Sequence, residues 1–339
     1  MPSITFAVCV EPGRVRLEYK AAALFHTMRR NLGAMANAQI WAYSPRPGIE
    51  VAPWIREVME HFEVKHITDP LNARWPDYPL ANKPLALAHA EEHCGTDYVV
   101  FLDSDILAWR EPSEFFFPDG IDIALVPDGT KTTGSAGPGD RFDEYWLRMY
   151  DLVGATARPF VTTTLTNEYV RGTWNSGVVP LRTSARIARH WRDTMIEMLE
   201  HDFAPREASY LRENNLLSAL AAAYYDRYRE LSVAYNYPVQ NWDKMTEKGI
   251  APEDAVLWHY QPFFDRAFRK FAAKIDGART LSERLALTER MVEDLRRNYR
   301  KRISTDEPLL RSLRRRLRLG PRLRKLLGRS KATDEQSFD

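Results

Sequence analysis

The sequence predicts an α/β protein with a mixed, mostly parallel sheet flanked by helices on both faces. Three observations predict it. Continuous apolar runs such as Ile4 to Val10 and Tyr98 to Leu102 read as strands buried on both faces. Helical stretches alternate with those runs over the first hundred residues. Carboxylates follow directly on the run Tyr98 to Leu102, at the sheet edge where open α/β folds bind ligands.

The elements follow in order. After the first strand, Glu11-Pro12-Gly13 breaks the chain, and Glu18 to Leu32 reads as a helix. Gln39 to Tyr43 is a second strand, Ile55 to Phe62 a helix and Glu63 to Ile67 a short third strand. Pro84 to Cys94 is a helix stopped by Gly95. Beyond Leu102 the order changes. Ile121 to Val126 is a strand, and Thr130 to Asp140, rich in Gly, Ser and Thr, reads as a mobile loop able to close over a ligand. Asp143 to Val153 is a helix, Ser176 to Leu181 a strand and Ser184 to Leu199 a long amphipathic helix. Glu213 to Tyr224 is helical, Val256 to His259 is a short strand, and from Phe263 the chain is helical and charged. We expect one domain over residues 1–264 and a helical, basic extension over 265–339.

Charge is unevenly placed. Pro308 to Lys331 holds eight Arg and two Lys with no acid, so it carries +10 of the total of +2 and leaves −8 on the rest. An acidic body with a basic tail suggests two separate tasks. The two cysteines, Cys9 and Cys94, are too few for a disulfide framework and read as buried thiols in a reducing compartment. The first residues lack a basic n-region, and no apolar run approaches the ~20 residues that span a bilayer. A cytoplasmic location is the expectation.

The chemistry concentrates at Asp103-Ser104-Asp105. If extension continues past Leu102, the two aspartates share one side. Like carboxylates held close repel unless a cation lies between them. A hard ion such as Mg²⁺ or Mn²⁺ suits oxygen ligands and keeps positions for phosphate oxygens. A phosphatase would carry such a pair after its first strand, which is not the case here. Trp174-Asn175-Ser176-Gly177 leads into the apolar strand Val178 to Leu181. Gly177 allows close backbone approach, and Asn175 offers a donor and an acceptor. His259 closes the short strand Leu257-Trp258-His259, where a neutral imidazole can bind metal as well as pack in a core.

The order Lys83-Pro84, YVVFLDSDIL, WNSGVVPLR, Glu213-Asn214-Asn215-Leu216-Leu217 and LWHY resembles the GT-A glycosyltransferases, whose sheet is Rossmann-like. It is most similar to glycosyltransferase family 8, the glycogenin and lipopolysaccharide galactosyltransferase type, over about residues 1 to 264. The resemblance implies transfer of a hexose from a nucleotide-sugar, a UDP-sugar above all, to a glycan or lipid-linked acceptor. It implies Mn²⁺ or Mg²⁺ held by Asp103, Asp105 and His259. Lys83, Ser104, Asp128, Gly177 and Val8 would join the aspartates around the donor, and Asn175, Glu213 and Asn214 would sit at the reacting centre. The sequence departs from the family at Glu213-Asn214-Asn215, where Asp-Gln-Asp is usual, and this leaves the stereochemical outcome open.

In the tail, Leu309, Leu310, Leu313 and Leu317 recur at helical spacing among arginines, and the pattern resumes after Gly320-Pro321. A basic amphipathic segment suits an anionic membrane surface, which would place the protein peripherally on the inner face of the membrane. No nucleic-acid-binding fold accompanies the charge. Two other functions are compatible with the same sheet. A nucleotidyltransferase would want a better Gly-rich basic loop than Glu11-Pro12-Gly13-Arg14. A membrane-associated adaptor of GT-A fold would bind no metal and hydrolyse no donor.

Overall fold

A computed structural model describes residues 2–202, 204–260, 274 and 277–305. The chain divides into two units, Met1–Met291 and Val292–Asp339, and the first contains the sheets. The boundary expected at 264/265 and the basic segment 308–331 lie outside the described residues.

The elements are β1 (Ile4–Cys9), α1 (Val15–Asn31), β2 (Gln39–Tyr43), α2 (Pro53–His61), β3 (Val64–Ile67), α3 (Asn82–His93), β4 (Tyr98–Leu102) and β5 (Ile106–Ala108). Then come β6 (Ile123–Leu125), α4 (Asp143–Leu152), β7 (Phe160–Thr162), β8 (Tyr169–Arg171), β9 (Val178–Arg182), α5 (Ile187–His201) and α6 (Arg212–Ala223). The last are β10 (Tyr228–Glu230), β11 (Tyr237–Pro238), α7 (Trp242–Glu247), β12 (Leu257–His259) and α8 (Leu281–Thr305).

The main sheet has seven strands in the order β10-β6-β9-β4-β1-β2-β3. β3, β2, β1 and β4 run parallel, as their continuous apolar runs require, while β9 is antiparallel to both β4 and β6. Ala7, Val99 and Phe101 face a core shared with α3, α4, α5 and α6. The intervening Phe6, Val8, Val100 and Leu102 face the other way and are equally buried. α1 and α2 pack together, α1 meeting β5 and α2 meeting β3.

Side chains tie these layers. Glu91 on α3 accepts the Ala188 and Arg189 N–H groups, at 3.0 and 2.9 Å, and so satisfies the first turn of α5. Cys94 is buried, Cys9 is half-buried, and both are free thiols. The segment 130–140 is hydrogen-bonded to the fold through Thr133 and Ser135. Thr133 Oγ1 donates to Asn215 Oδ1 at 3.1 Å, Trp146 Nε1 donates to the Thr133 carbonyl at 2.9 Å, and Ser135 Oγ donates to Asp143 Oδ1 at 2.6 Å. Thr133 and Ser135 are buried and serve internal hydrogen bonds, while Thr130 and Thr132 face solvent.

A second, three-stranded sheet sets up the site. β5 follows the turn after β4 and pairs antiparallel with β12, which lies beside β11. That register puts His259 opposite Ile106, one residue after Asp105. Among the described residues, no helix is long and apolar enough to cross a membrane.

Candidate active site

The cleft lies at the C-terminal end of β4 and encloses about 840 Å³, within the ordinary range of roughly 300–1,000 Å³ for small-molecule sites. Asp103, Ser104, Asp105, Lys83, Asp128, Asn175, Ser176, Glu213, Asn214 and His259 all line it.

The aspartates converge through a turn rather than through the pleat expected of a continuing strand. β4 ends at Leu102, and the Ile106 N–H closes back on the Asp103 carbonyl at 3.1 Å. The Asp103 N–H donates to the Gly177 carbonyl at 2.9 Å, and the Tyr260 N–H to the Asp105 carbonyl at 3.2 Å. The turn is thereby held between β9 and the end of β12. Asp103, Asp105 and His259 each place a ligand atom within 4.8 Å of the others, a group that could hold a metal ion.

Two ammonium groups and an imidazole face the aspartates. Lys83 Nζ lies 2.9 Å from Asp103 Oδ1, 3.2 Å from Ser176 Oγ and 3.4 Å from Glu213 Oε1. Lys20 Nζ is 3.6 Å from Asp105 Oδ2, and His259 Nε2 is 3.3 Å from Asp105 Oδ1. Burial raises the Asp105 pKa, but His259, Lys20 and Lys83 outweigh it and hold Asp105 below the ordinary aspartate range. Burial lowers the Lys83 pKa, yet Asp103 and Glu213 overcome it and keep the ammonium charged. The other two carboxyls behave oppositely. Burial pushes Glu213 up against the pull of Lys83 and Ser176, and Asp128 up against the amides of Asn214 and Asn175. One cleft thus holds an aspartate whose pKa is lowered beside two carboxyls whose pKa values are raised, a separation that lets carboxyls take different roles.

Residues 6–211, more than half of the chain, match the Rhodobacterales glycosyltransferase domain. The chain belongs to that glycosyltransferase family. The match decides for a sugar-transferring enzyme over the nucleotidyltransferase and non-catalytic readings of the same sheet. No curated protein matches the chain significantly in sequence. Solved structures similar to this glycosyltransferase include mouse xyloside xylosyltransferase 1, at 11% identity and TM-score 0.45, covering 77% of this chain and 97% of that one. GlyE of Streptococcus pneumoniae TIGR4 has 14% identity and TM-score 0.46, covering 84% and 62%. The bifunctional glycosyltransferase WbbM has 12% identity and TM-score 0.42, covering 77% and 46%, so the chain spans less than half of it.

Two residues expected at the donor lie elsewhere in the glycosyltransferase. Val8 sits mid-strand between Ala42 and Leu102, fully buried, and does not line the cleft. Its place in a central strand makes it core. Gly177 also lies behind the cleft surface. A Cβ there would fall 2.8 Å from His259 Cε1 and 2.9 Å from Asn175 Oδ1. The close neighbour that demands glycine is therefore the imidazole.

The amides are committed to protein partners. Asn214 Oδ1 accepts the Ser176 N–H at 2.9 Å, and its Nδ2 donates to Asp128 Oδ2 at 3.0 Å. Asn175 Nδ2 donates to Asp128 Oδ1 at 3.2 Å. Sequence reasoning missed Lys20, in the early turns of α1, and Asn236, which donates to Asn175 and lies 2.8 Å from His259 Nδ1. Lys20 gave no signal within an amphipathic helix. Asn236 gave a faint one, as a lone amide between Tyr235 and Tyr237.

Proposed function

We propose that this glycosyltransferase is a metal-dependent enzyme of the GT-A, family 8 type, moving a hexose from a nucleotide-sugar, a UDP-sugar in the first instance. The observation that carries the proposal is the meeting of Asp103, Asp105 and His259 from separate chain segments at the end of the central strand. Two carboxylates and one imidazole suit Mn²⁺, and with a weaker claim Mg²⁺, which prefers oxygen alone. Such an ion would supply fixed positive charge for the donor diphosphate.

The remaining steps belong to side chains. Lys83 keeps its ammonium at the Asp103 end of the cleft, where charge on a leaving diphosphate would build. Asp128, gripped by two amides, offers its carboxyl to a donor-sugar hydroxyl. Asn214 and Asn175 act by holding Asp128, and Ser104 lines the donor side. Glu213, buried 3.4 Å from Lys83, would hold that ammonium in place beside the reacting centre. Incubation with UDP- and GDP-sugars and Mn²⁺, reading free nucleotide with and without chelator, tests the reading. Hydrolysis indifferent to chelator would defeat it.

Gly177→Ala should weaken Mn²⁺ binding by at least about tenfold, because the added methyl displaces His259. Mn²⁺ titration followed by electron paramagnetic resonance measures this, and unchanged affinity would separate Gly177 from the metal site.

The acceptor is proposed to be a glycan or lipid-linked molecule, with a transfer domain over 1–264 and a basic extension over 265–339. Segment 308–331 would dock on anionic lipid. Removing the residues after Thr305 should abolish sedimentation with phosphatidylglycerol vesicles, and equal binding by the shortened chain would remove the membrane from the proposal.

A further inference from the structure

We infer that Asn236 is a positioning residue that fixes the tautomer of His259, so that Nε2 is offered as the ligand atom beside Asp105. The inference rests on the metal-site proposal for its purpose but not for its geometry.

The orientation follows from groups with only one hydrogen-bonding role. The Gly177 N–H can only donate, and it points at Asn175 Oδ1 at 2.9 Å. The oxygen of Asn175 must lie there, which turns its Nδ2 to the Asp128 carboxylate at 3.2 Å. Asn236 then meets that same oxygen with its Nδ2, at 2.7 Å. Its remaining atom, Oδ1, lies 2.8 Å from His259 Nδ1 and can only accept. The neutral imidazole therefore carries its hydrogen on Nδ1 and its lone pair on Nε2. That lone pair faces Asp105 Oδ1 across 3.3 Å, so a proton or a metal cation must lie between them. Asn236 and His259 are both largely buried where they line the cleft.

The relay also explains why the tautomer needs setting. Left to itself, a neutral His259 would place its hydrogen on Nε2 and donate to Asp105, closing the ligand position. The Asn236 oxygen withdraws that choice, and the backbone of Gly177 determines where the oxygen lies.

The test reads the tautomer and the metal separately. ¹⁵N-histidine spectra of the metal-free protein, taken alkaline enough for a neutral imidazole and assigned with His259→Gln, should show His259 protonated at Nδ1. Asn236→Leu, which removes the acceptor at similar volume, should move the hydrogen to Nε2 and weaken Mn²⁺ binding roughly 10–100-fold. Asn236→Asp retains an oxygen for Nδ1 and should restore the wild-type tautomer even if Asn236→Leu folds poorly. An Nε2–H signal in the wild type, an unmoved tautomer in Asn236→Leu, or failure of Asn236→Asp to restore it would overturn the assignment. An Nδ1–H tautomer in a wild-type protein that binds no Mn²⁺ would uphold the assignment while defeating the metal-site proposal.

Discussion

Asp103→Asn should lower Mn²⁺-stimulated donor hydrolysis by about 10²–10³-fold or more, the loss seen when one electrostatic group is removed from a preorganised site. Asp103 serves two partners in the proposed mechanism. It is one of the three groups that could hold the ion, and it anchors Lys83 at 2.9 Å. An asparagine keeps the size and the turn, whose backbone bonds run from the Asp103 N–H and carbonyl rather than from its side chain. The amide cannot neutralise a divalent ion or the ammonium. Lys83 then keeps its 3.4 Å approach to Glu213 and is expected to swing toward it. Mn²⁺ titration and nucleotide release measured on one preparation would show both losses together. Full turnover in Asp103→Asn would exclude the aspartate pair as the site.

The parts of this site differ in how far sequence displays them. The parallel strands were legible because burial on both faces forces unbroken apolar runs, as in Ile4–Cys9 and Tyr98–Leu102. The aspartate pair was legible because it follows such a run. Its geometry was not, since a turn and an extended strand share the spacing of two residues. His259 is brought to Asp105 by the pairing of β5 with β12, strands of three residues each and too short to show a period of two. Asn236 depends on three further polar contacts that exist only once the fold has formed. The hydrogen bonds of Thr133 and Ser135 in segment 130–140 were hidden for a related reason. Small polar residues indicate either solvent or a dense internal hydrogen-bond network, and composition does not distinguish them.

That network supports the largest expected loss of stability. Arg171 on β8 grips Asp143 at the start of α4 through two bonds, Nε to Oδ1 at 2.6 Å and Nη2 to Oδ2 at 3.1 Å. Ser135 Oγ reaches the same Oδ1, and the Arg171 N–H donates to the Ser135 carbonyl at 2.7 Å. Arg171→Met leaves a buried carboxylate without its cation and should cost about 3–5 kcal/mol at pH 7. The acid dependence has a definite sign. The hydrogen bonds of Arg171, against some desolvation, hold Asp143 below the ordinary aspartate range in the folded protein. As pH falls below about 4, the unfolded chain takes up this proton first, so the stabilisation present at neutral pH is progressively lost. In Arg171→Met the largest cause of that depression is gone, with the Ser135 hydrogen bond remaining, and urea-unfolding curves of the two proteins should converge as pH falls below about 4. A gap that stays constant over this range would show that Arg171 acts through packing alone. Because Ser135 and Thr133 belong to the same tied segment, and Thr133 lines the cleft, the variant should also raise donor KM while leaving Mn²⁺ affinity unchanged. Asp103, Asp105 and His259 are fixed by β4, β5 and β12, which share no contact with this ion pair among the bonds that define it.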